Sequence, residues 1–188
     1  MNIPNTLTLI RIFMIPVFIV VFYLPVSWDH VAAAVIFTLA AITDLLDGYL
    51  ARRLDQTSTL GEFLDPVADK LMVAVVLVLL VQEHPTIWLA LPAAVIIGRE
   101  ITVSALREWM AELGARRKVA VSLYGKIKTV AQMVALIFLI YRDSILTIPI
   151  YNIGMILLYI AALLTLWSMC HYLYAAWPKL TDKKNTGV

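Results

Sequence analysis

The chain has 188 residues, of which 62% are hydrophobic and 15% charged, against ~45 to 50% apolar and ~25% charged in soluble domains. That composition excludes an ordinary soluble enzyme and predicts an all-α integral membrane protein. The net charge of +2 says little, because in a membrane protein the placement of charge matters more than its sum, and no nucleic-acid partner is expected.

Apolar runs predict six transmembrane helices at roughly 5 to 25, 31 to 52, 64 to 82, 86 to 110, 125 to 141 and 148 to 176, each near the ~20 residues that a bilayer requires. The N-terminus shows no short apolar stretch ending in a small-residue cleavage site, so the first span is expected to be retained. Pro25, the Glu83-His84-Pro85 turn and the Arg142 to Pro149 stretch connect the spans at one end. The Arg52 to Gly61 and Gly114 to Tyr124 segments connect them at the other. No repeat or second domain is visible: residues 1–178 form one membrane domain, followed by a polar tail over 179–188. The lone cysteine, Cys170, permits no intrachain disulfide and reads as a small apolar residue of the last helix.

Of 15 lysines and arginines, only Arg142 falls in a connection at the first end. The positive-inside rule therefore places both termini in the cytoplasm. Spans two, three and four each keep only about 12 or 13 residues free of charge, which covers about 20 Å of a ~30 Å hydrocarbon layer. Their charged inner portions must face one another around a polar cavity open to the cytoplasm. Span six carries no Asp, Glu, Lys or Arg from Ser144 to Pro178, and reads as a peripheral wall.

Asp44 and Asp47 are spaced i, i+3, and Asp65 and Asp69 i, i+4, so each pair occupies one helix face. A carboxylate at membrane depth costs roughly 2.5 to 3.5 kcal/mol on insertion scales, and four together point to a functional site. Hard divalent cations prefer such oxygen donors, and a pair of ions ~3.5 to 4 Å apart can clamp the attacking and leaving oxygens of an in-line displacement. The expected occupants are two Mg²⁺ or Mn²⁺ ions, and the expected chemistry is phosphoryl transfer. Gly48, costly by ~1 kcal/mol inside a helix, and Ala51 one turn later leave a small face that admits a nucleotide. Arg52 supplies charge for a diphosphate and Ser58 a hydroxyl donor.

Asp44-x-x-Asp47-Gly48-x-x-Ala51-Arg52, eight further residues, then Gly61-x-x-x-Asp65-x-x-x-Asp69 resembles the complete signature of the CDP-alcohol phosphotransferase family. The resemblance implies a six-helix membrane enzyme, generally a homodimer, that moves a phosphatidyl group from CDP-diacylglycerol to an alcohol and releases CMP. By position it implies that Asp44, Asp47 and Asp65 hold one metal ion and Asp44, Asp65 and Asp69 the second, with Asp69 also the general base. It places Gly48, Ala51, Arg52, Ser58 and Gly61 at the nucleotide. Asn5, Thr8 and Arg11, which share one helical face, resemble the family's opening segment, which also touches the nucleotide or its diphosphate.

The acceptor must be read outside the signature. Arg99, Arg107 and Lys126 lie in spans four and five and exceed what a donor site needs, so an acceptor that carries its own phosphate is expected. The segments Arg99-Glu100-Ile101, Trp109 to Gly114 and Gly125 to Thr129 are similar to family members that use sn-glycerol 3-phosphate. That similarity implies phosphatidylglycerol phosphate as product, made at the cytoplasmic face of a bacterial inner membrane among its lipids. The rivals are another acceptor (inositol phosphate, a phospholipid headgroup or serine) and a divalent-cation transporter, which would carry inverted repeats or broken helices that this chain lacks.

Overall fold

The computed structural model describes residues 3–54, 59–112 and 123–180, with the side chains of 3–5, 45, 47–54, 59, 60, 62, 63, 65, 112, 123–127, 175, 176 and 178–180 outside that description. The described residues form six helices: α1 (Ile3–Phe22), α2 (Asp29–Leu54), α3 (Thr59–Glu83), α4 (Ile87–Glu112), α5 (Leu123–Tyr141) and α6 (Ile150–Leu180). Each expected span is matched by a helix. Over Ile87–Ala111 and Ile150–Tyr174, α4 and α6 are long and apolar enough to cross a membrane by length and composition. The apolar stretches Thr6–Phe22 and Lys128–Tyr141 are shorter, and α2 and α3 carry the aspartates.

Local chemistry sets the helix ends. Leu89 and Ala90 donate to the Thr86 carbonyl as α4 starts, and Ile153 donates to the Pro149 carbonyl as α6 starts. Behind α5, Arg142 takes a left-handed φ of 49° while its N–H bonds the Phe138 carbonyl at 3.0 Å, an αL-type helix cap. The chain then turns through a bridge between Ile145 and Ile148, with Leu146 also at positive φ.

The helices pack α5 on α6, α1 on α2 and α3, α4 on α6 and α3, and α2 on α5. Phe18, Phe37, Leu77, Leu80, Leu89, Ile96, Leu136, Leu139 and Leu158 fill the interior. At Gly154 a Cβ would stand 3.0 Å from Phe138 Cβ and 3.2 Å from the Ala135 carbonyl, so glycine permits the close approach of α6 to α5. A smaller apolar cluster of Val103, Leu106, Met110 and Tyr172 joins α4 to α6 farther along. Outward faces are apolar too: Phe13, Val78, Trp88, Ile101, Leu163 and Trp167 are exposed.

One end of the bundle is laced by charges. His30 bonds Asp29 through Nδ1 at 2.9 Å and Asp143 through Nε2 at 2.6 Å. Arg142 lies 3.6 Å from Asp29 and bonds Glu83, while Tyr23 donates to Gln82. These contacts join the ends of α1, α2 and α3 to the loop after α5.

Candidate active site

About 20 Å farther down α2 and α3, at ~1.5 Å rise per residue, a second charged region lies inside the bundle. From α1, Thr8 and Arg11 are buried, three residues apart and hence on one face. Arg11 Nη1 donates to Asp44 Oδ1 of α2 at 2.5 Å. Arg11 and Asp44 line a narrow space together with Asp69 of α3. Ala40 and Ala41 also line it, leaving room beside the carboxylates where α1, α2 and α3 meet.

On its other side Asp69 lines a cavity of about 260 Å³ between α3, α4, α5 and α6. Here the charges are nearly dry. Arg99 is 7% exposed, Lys128 3% and Gln132 4%. Glu100 Oε1 accepts from both Arg99 Nη1 at 2.7 Å and Lys128 Nζ at 2.6 Å. Arg99 Nη2 donates to Ser168 Oγ at 2.9 Å. Arg107 Nη2 donates to Tyr172 Oη at 3.0 Å, and its guanidinium carbon lies 5.1 Å from the ring centroid, in cation–π range. Lys70 adds a further cation to the lining, so among the described residues cations outnumber carboxylates around this cavity.

Buried charge without full pairing is costly, and here pairing is incomplete. Arg99 Nε, Arg107 Nε and Gln132 Oε1 are buried with no hydrogen-bond partner among the described residues. A positive, walled cavity with donors to spare suits an anion that carries several oxygen acceptors.

Of the expected metal ligands, Asp44 and Asp69 come to one place. The side chains of Asp47 and Asp65 lie outside the described residues, and no group of three metal-ligating side chains is found among the described ones. Arg11 reaches the carboxylates through Asp44, Thr8 is buried three residues earlier on α1, and Gly61 is buried near the start of α3. The side chains of Asn5, Gly48, Ala51 and Arg52 lie outside the described residues, as does Ser58 altogether. Arg99 and Arg107 line the cavity. The side chain of Lys126 is outside the description, and Lys128 brings an ammonium group into the cavity.

Two features depart from expectation. Although α6 has no charged residue between Ser144 and Pro178, it is not merely a peripheral wall: Ser168 and Tyr172 hold the two arginines. Gln132 and Thr129 of α5 also line the cavity; Thr129 ends the Gly125 to Thr129 segment, whereas Gln132 was not singled out from sequence. The available signal was a lone amide four residues after Lys128, on the same face of an otherwise apolar helix.

Residues 1–167 match the model of the family described as CDP-alcohol phosphatidyltransferase. The chain is 59% identical over 181 residues to the CDP-diacylglycerol–glycerol-3-phosphate 3-phosphatidyltransferase of Pseudomonas fluorescens, covering 96% of this chain and 92% of that protein. It is 55% identical over 182 residues to the protein of the same name from Escherichia coli (strain K12), covering 97% and 98%.

Proposed function

The chain belongs to the CDP-alcohol phosphatidyltransferase family, and from that premise we propose that it transfers the phosphatidyl group of CDP-diacylglycerol to sn-glycerol 3-phosphate, giving phosphatidylglycerol phosphate and CMP. The observation that carries this reading is the position of Asp69, which lines both the narrow space with Arg11 and Asp44 and the basic cavity with Arg99, Arg107 and Lys128. The donor diphosphate belongs on the first side. A phosphorylated acceptor belongs on the second.

The donor set fits hard divalent cations: Asp44 of α2 and Asp69 of α3 line one space that, among the described residues, has no histidine or cysteine, and Asp47 and Asp65 stand one helical turn from them in sequence. Two ions, Mg²⁺ or Mn²⁺, held by Asp44, Asp47, Asp65 and Asp69, would neutralise the diphosphate and the departing CMP. Arg11 holds Asp44 in place and offers a buried cation to the same diphosphate, and Asn5, Thr8, Gly48, Ala51, Arg52, Ser58 and Gly61 complete the nucleotide side. Arg99, Arg107 and Lys128, with Lys126, bind the acceptor phosphate and turn the free terminal hydroxyl to Asp69. Asp69 takes the hydroxyl proton; the oxygen attacks the β-phosphorus as the bond to CMP breaks.

The outward apolar faces support six membrane-spanning helices with the cavity and both termini on the cytoplasmic side of a bacterial inner membrane. The acyl chains then enter laterally between helices, and the enzyme works as a homodimer. Residues 1–178 constitute the membrane domain. The test is to supply purified protein with CDP-diacylglycerol, Mg²⁺ and labelled glycerol 3-phosphate, serine or inositol phosphate in turn, and to identify the lipid formed. Phosphatidylglycerol phosphate with stoichiometric CMP is expected. A lipid made only from another alcohol would overturn the acceptor, and full activity after thorough chelation would remove the metal ions.

A further inference from the structure

Glycerol 3-phosphate brings three things into the basic cavity: a phosphate, the hydroxyl that reacts and a secondary hydroxyl between them. The proposal above accounts for the first two. A secondary hydroxyl confined away from water needs an acceptor for its proton, or its burial counts against binding. The cavity walls narrow the choice. Glu100 Oε1 already accepts from Arg99 and Lys128, Tyr172 Oη accepts from Arg107, and Asp69 is committed to the reacting hydroxyl.

Gln132 stands apart from these groups. It is 4% exposed, lines the cavity, and its Oε1 is buried with no hydrogen-bond partner among the described residues. It sits one helical turn beyond Lys128 on α5, on the same face, beside a cation assigned to the phosphate. A neutral amide oxygen is also ill suited to facing phosphate oxygens, because acceptor faces acceptor; it suits an O–H donor.

We propose that Gln132 is a specificity-determining residue whose Oε1 accepts a hydrogen bond from the secondary hydroxyl of the acceptor, so that the enzyme selects a glycerol phosphate over a phosphorylated alcohol lacking that hydroxyl. The inference rests on glycerol 3-phosphate being the acceptor. The secondary hydroxyl neither reacts nor carries charge. Its recognition therefore separates acceptors of equal charge and equal reactivity, which the cations by themselves do not do. A site built around a substrate hydroxyl discriminates against the analogue lacking it because its own polar atom is then left buried and unpaired.

The test compares sn-glycerol 3-phosphate with 3-hydroxypropyl phosphate, which keeps the phosphate and the terminal hydroxyl and lacks only the secondary one. The readout is the ratio of kcat/KM for the two acceptors at saturating CDP-diacylglycerol. Because both values come from one preparation, the fraction of folded protein cancels in the ratio. Unaltered enzyme should prefer glycerol 3-phosphate by about 10- to 100-fold, the range of a single buried hydrogen bond. Gln132→Leu should bring the ratio to within about threefold of unity, chiefly by losing activity on glycerol 3-phosphate. Should Gln132→Leu not accumulate, Gln132→Met, unbranched and apolar, takes its place with the same expected ratio. Gln132→Glu should keep the preference, since its carboxylate accepts the same bond, while lowering both rates by repelling the phosphate. Equal losses on both acceptors in the apolar variant, or a lost preference in Gln132→Glu, would overturn the role of Gln132. Unaltered enzyme using both acceptors equally would overturn it too, leaving the glycerol phosphate assignment standing. Unaltered enzyme that used neither, making its lipid from another alcohol, would overturn both.

Discussion

Two charged regions share this bundle and are built on opposite rules. At one end, Asp29, His30, Glu83, Arg142 and Asp143 pair with one another, and their side chains are 14 to 57% exposed. Around the cavity, Arg99, Lys128 and Gln132 are under 8% exposed, cations exceed carboxylates, and several buried polar atoms have no partner among the described residues. Charges that hold a structure together satisfy one another. Charges kept for a ligand leave bonding capacity unused in a place where that is costly, and such groups mark functional sites more reliably than a count of ionisable residues does.

The sharpest way to break this contrast is to neutralise carboxylates in both regions. Asp69→Asn should lower turnover by about 10²- to 10⁴-fold, the usual worth of a general base, while leaving substantial CDP-diacylglycerol binding; Asp44→Asn should lose both. Glu83→Gln should leave turnover within about twofold, since its partner Arg142 lies in the paired cluster, where exposed pairs contribute little. CMP release and donor binding, measured side by side, decide the matter. Equal loss of donor binding in the two aspartate variants would remove the role given to Asp69.

Stability sharpens the comparison next. Glu100→Gln strips the carboxylate from two buried cations and should destabilise the fold by about 3 kcal/mol, the lower part of the range for breaking a buried pair. Glu83→Gln should cost under about 1 kcal/mol. Equilibrium unfolding in detergent measures both, and equal costs would mean that the regions do not differ as described.

Third in size are the acceptor contacts. Arg107→Gln and Lys128→Gln should raise the apparent KM for glycerol 3-phosphate by about 10- to 100-fold, as expected for loss of a charge-assisted bond, with little change in the KM for CDP-diacylglycerol. Lys126→Gln should do the same. Were the donor alone weakened, the acceptor phosphate would have to bind elsewhere.

The smallest effect belongs to the paired end. The bond from Asp29 raises the pKa of His30 above its ordinary value of 6.5; burial opposes this, and Asp143 adds to it. Burial pushes Asp29 upward, but bonds from His30 and the charge of Arg142 outweigh it and hold the carboxyl below its usual range. A raised histidine stabilises the folded state fully below its unfolded pKa, and that contribution is lost as pH rises through the folded value. Thermal stability should therefore decline modestly from pH 6 to pH 9, and His30→Gln should flatten that decline without altering the acceptor preference. A decline of the same size in His30→Gln would assign the pH dependence to other groups.

How much of this was legible beforehand differs between the two regions. The aspartate spacings on α2 and α3 pointed to carboxylates sharing faces, and Asp44 and Asp69 do converge. Arg99, one of the basic residues noted in span four, bonds the adjacent Glu100. By contrast, Ser168 and Tyr172 were hidden within a helix that carries no Asp, Glu, Lys or Arg before Lys179, and the bonding of His30 to Asp143 spans 113 positions. Nothing local signals such pairs.

The sequence by itself determined that the chain is helical and largely apolar, where its six helices lie to within a few residues, and which side chains share a helical face. These follow from hydrophobic run length and a 3.6-residue period, both local properties. Only the tertiary structure decided which faces meet: that Asp69 borders two spaces, that Lys128 and Gln132 of α5 open into the same cavity as Arg99 of α4, and that α6 turns Ser168 and Tyr172 towards the arginines. The rotation of one helix against another is set by packing across the whole interface, including the close approach at Gly154, and no short window of sequence contains that information.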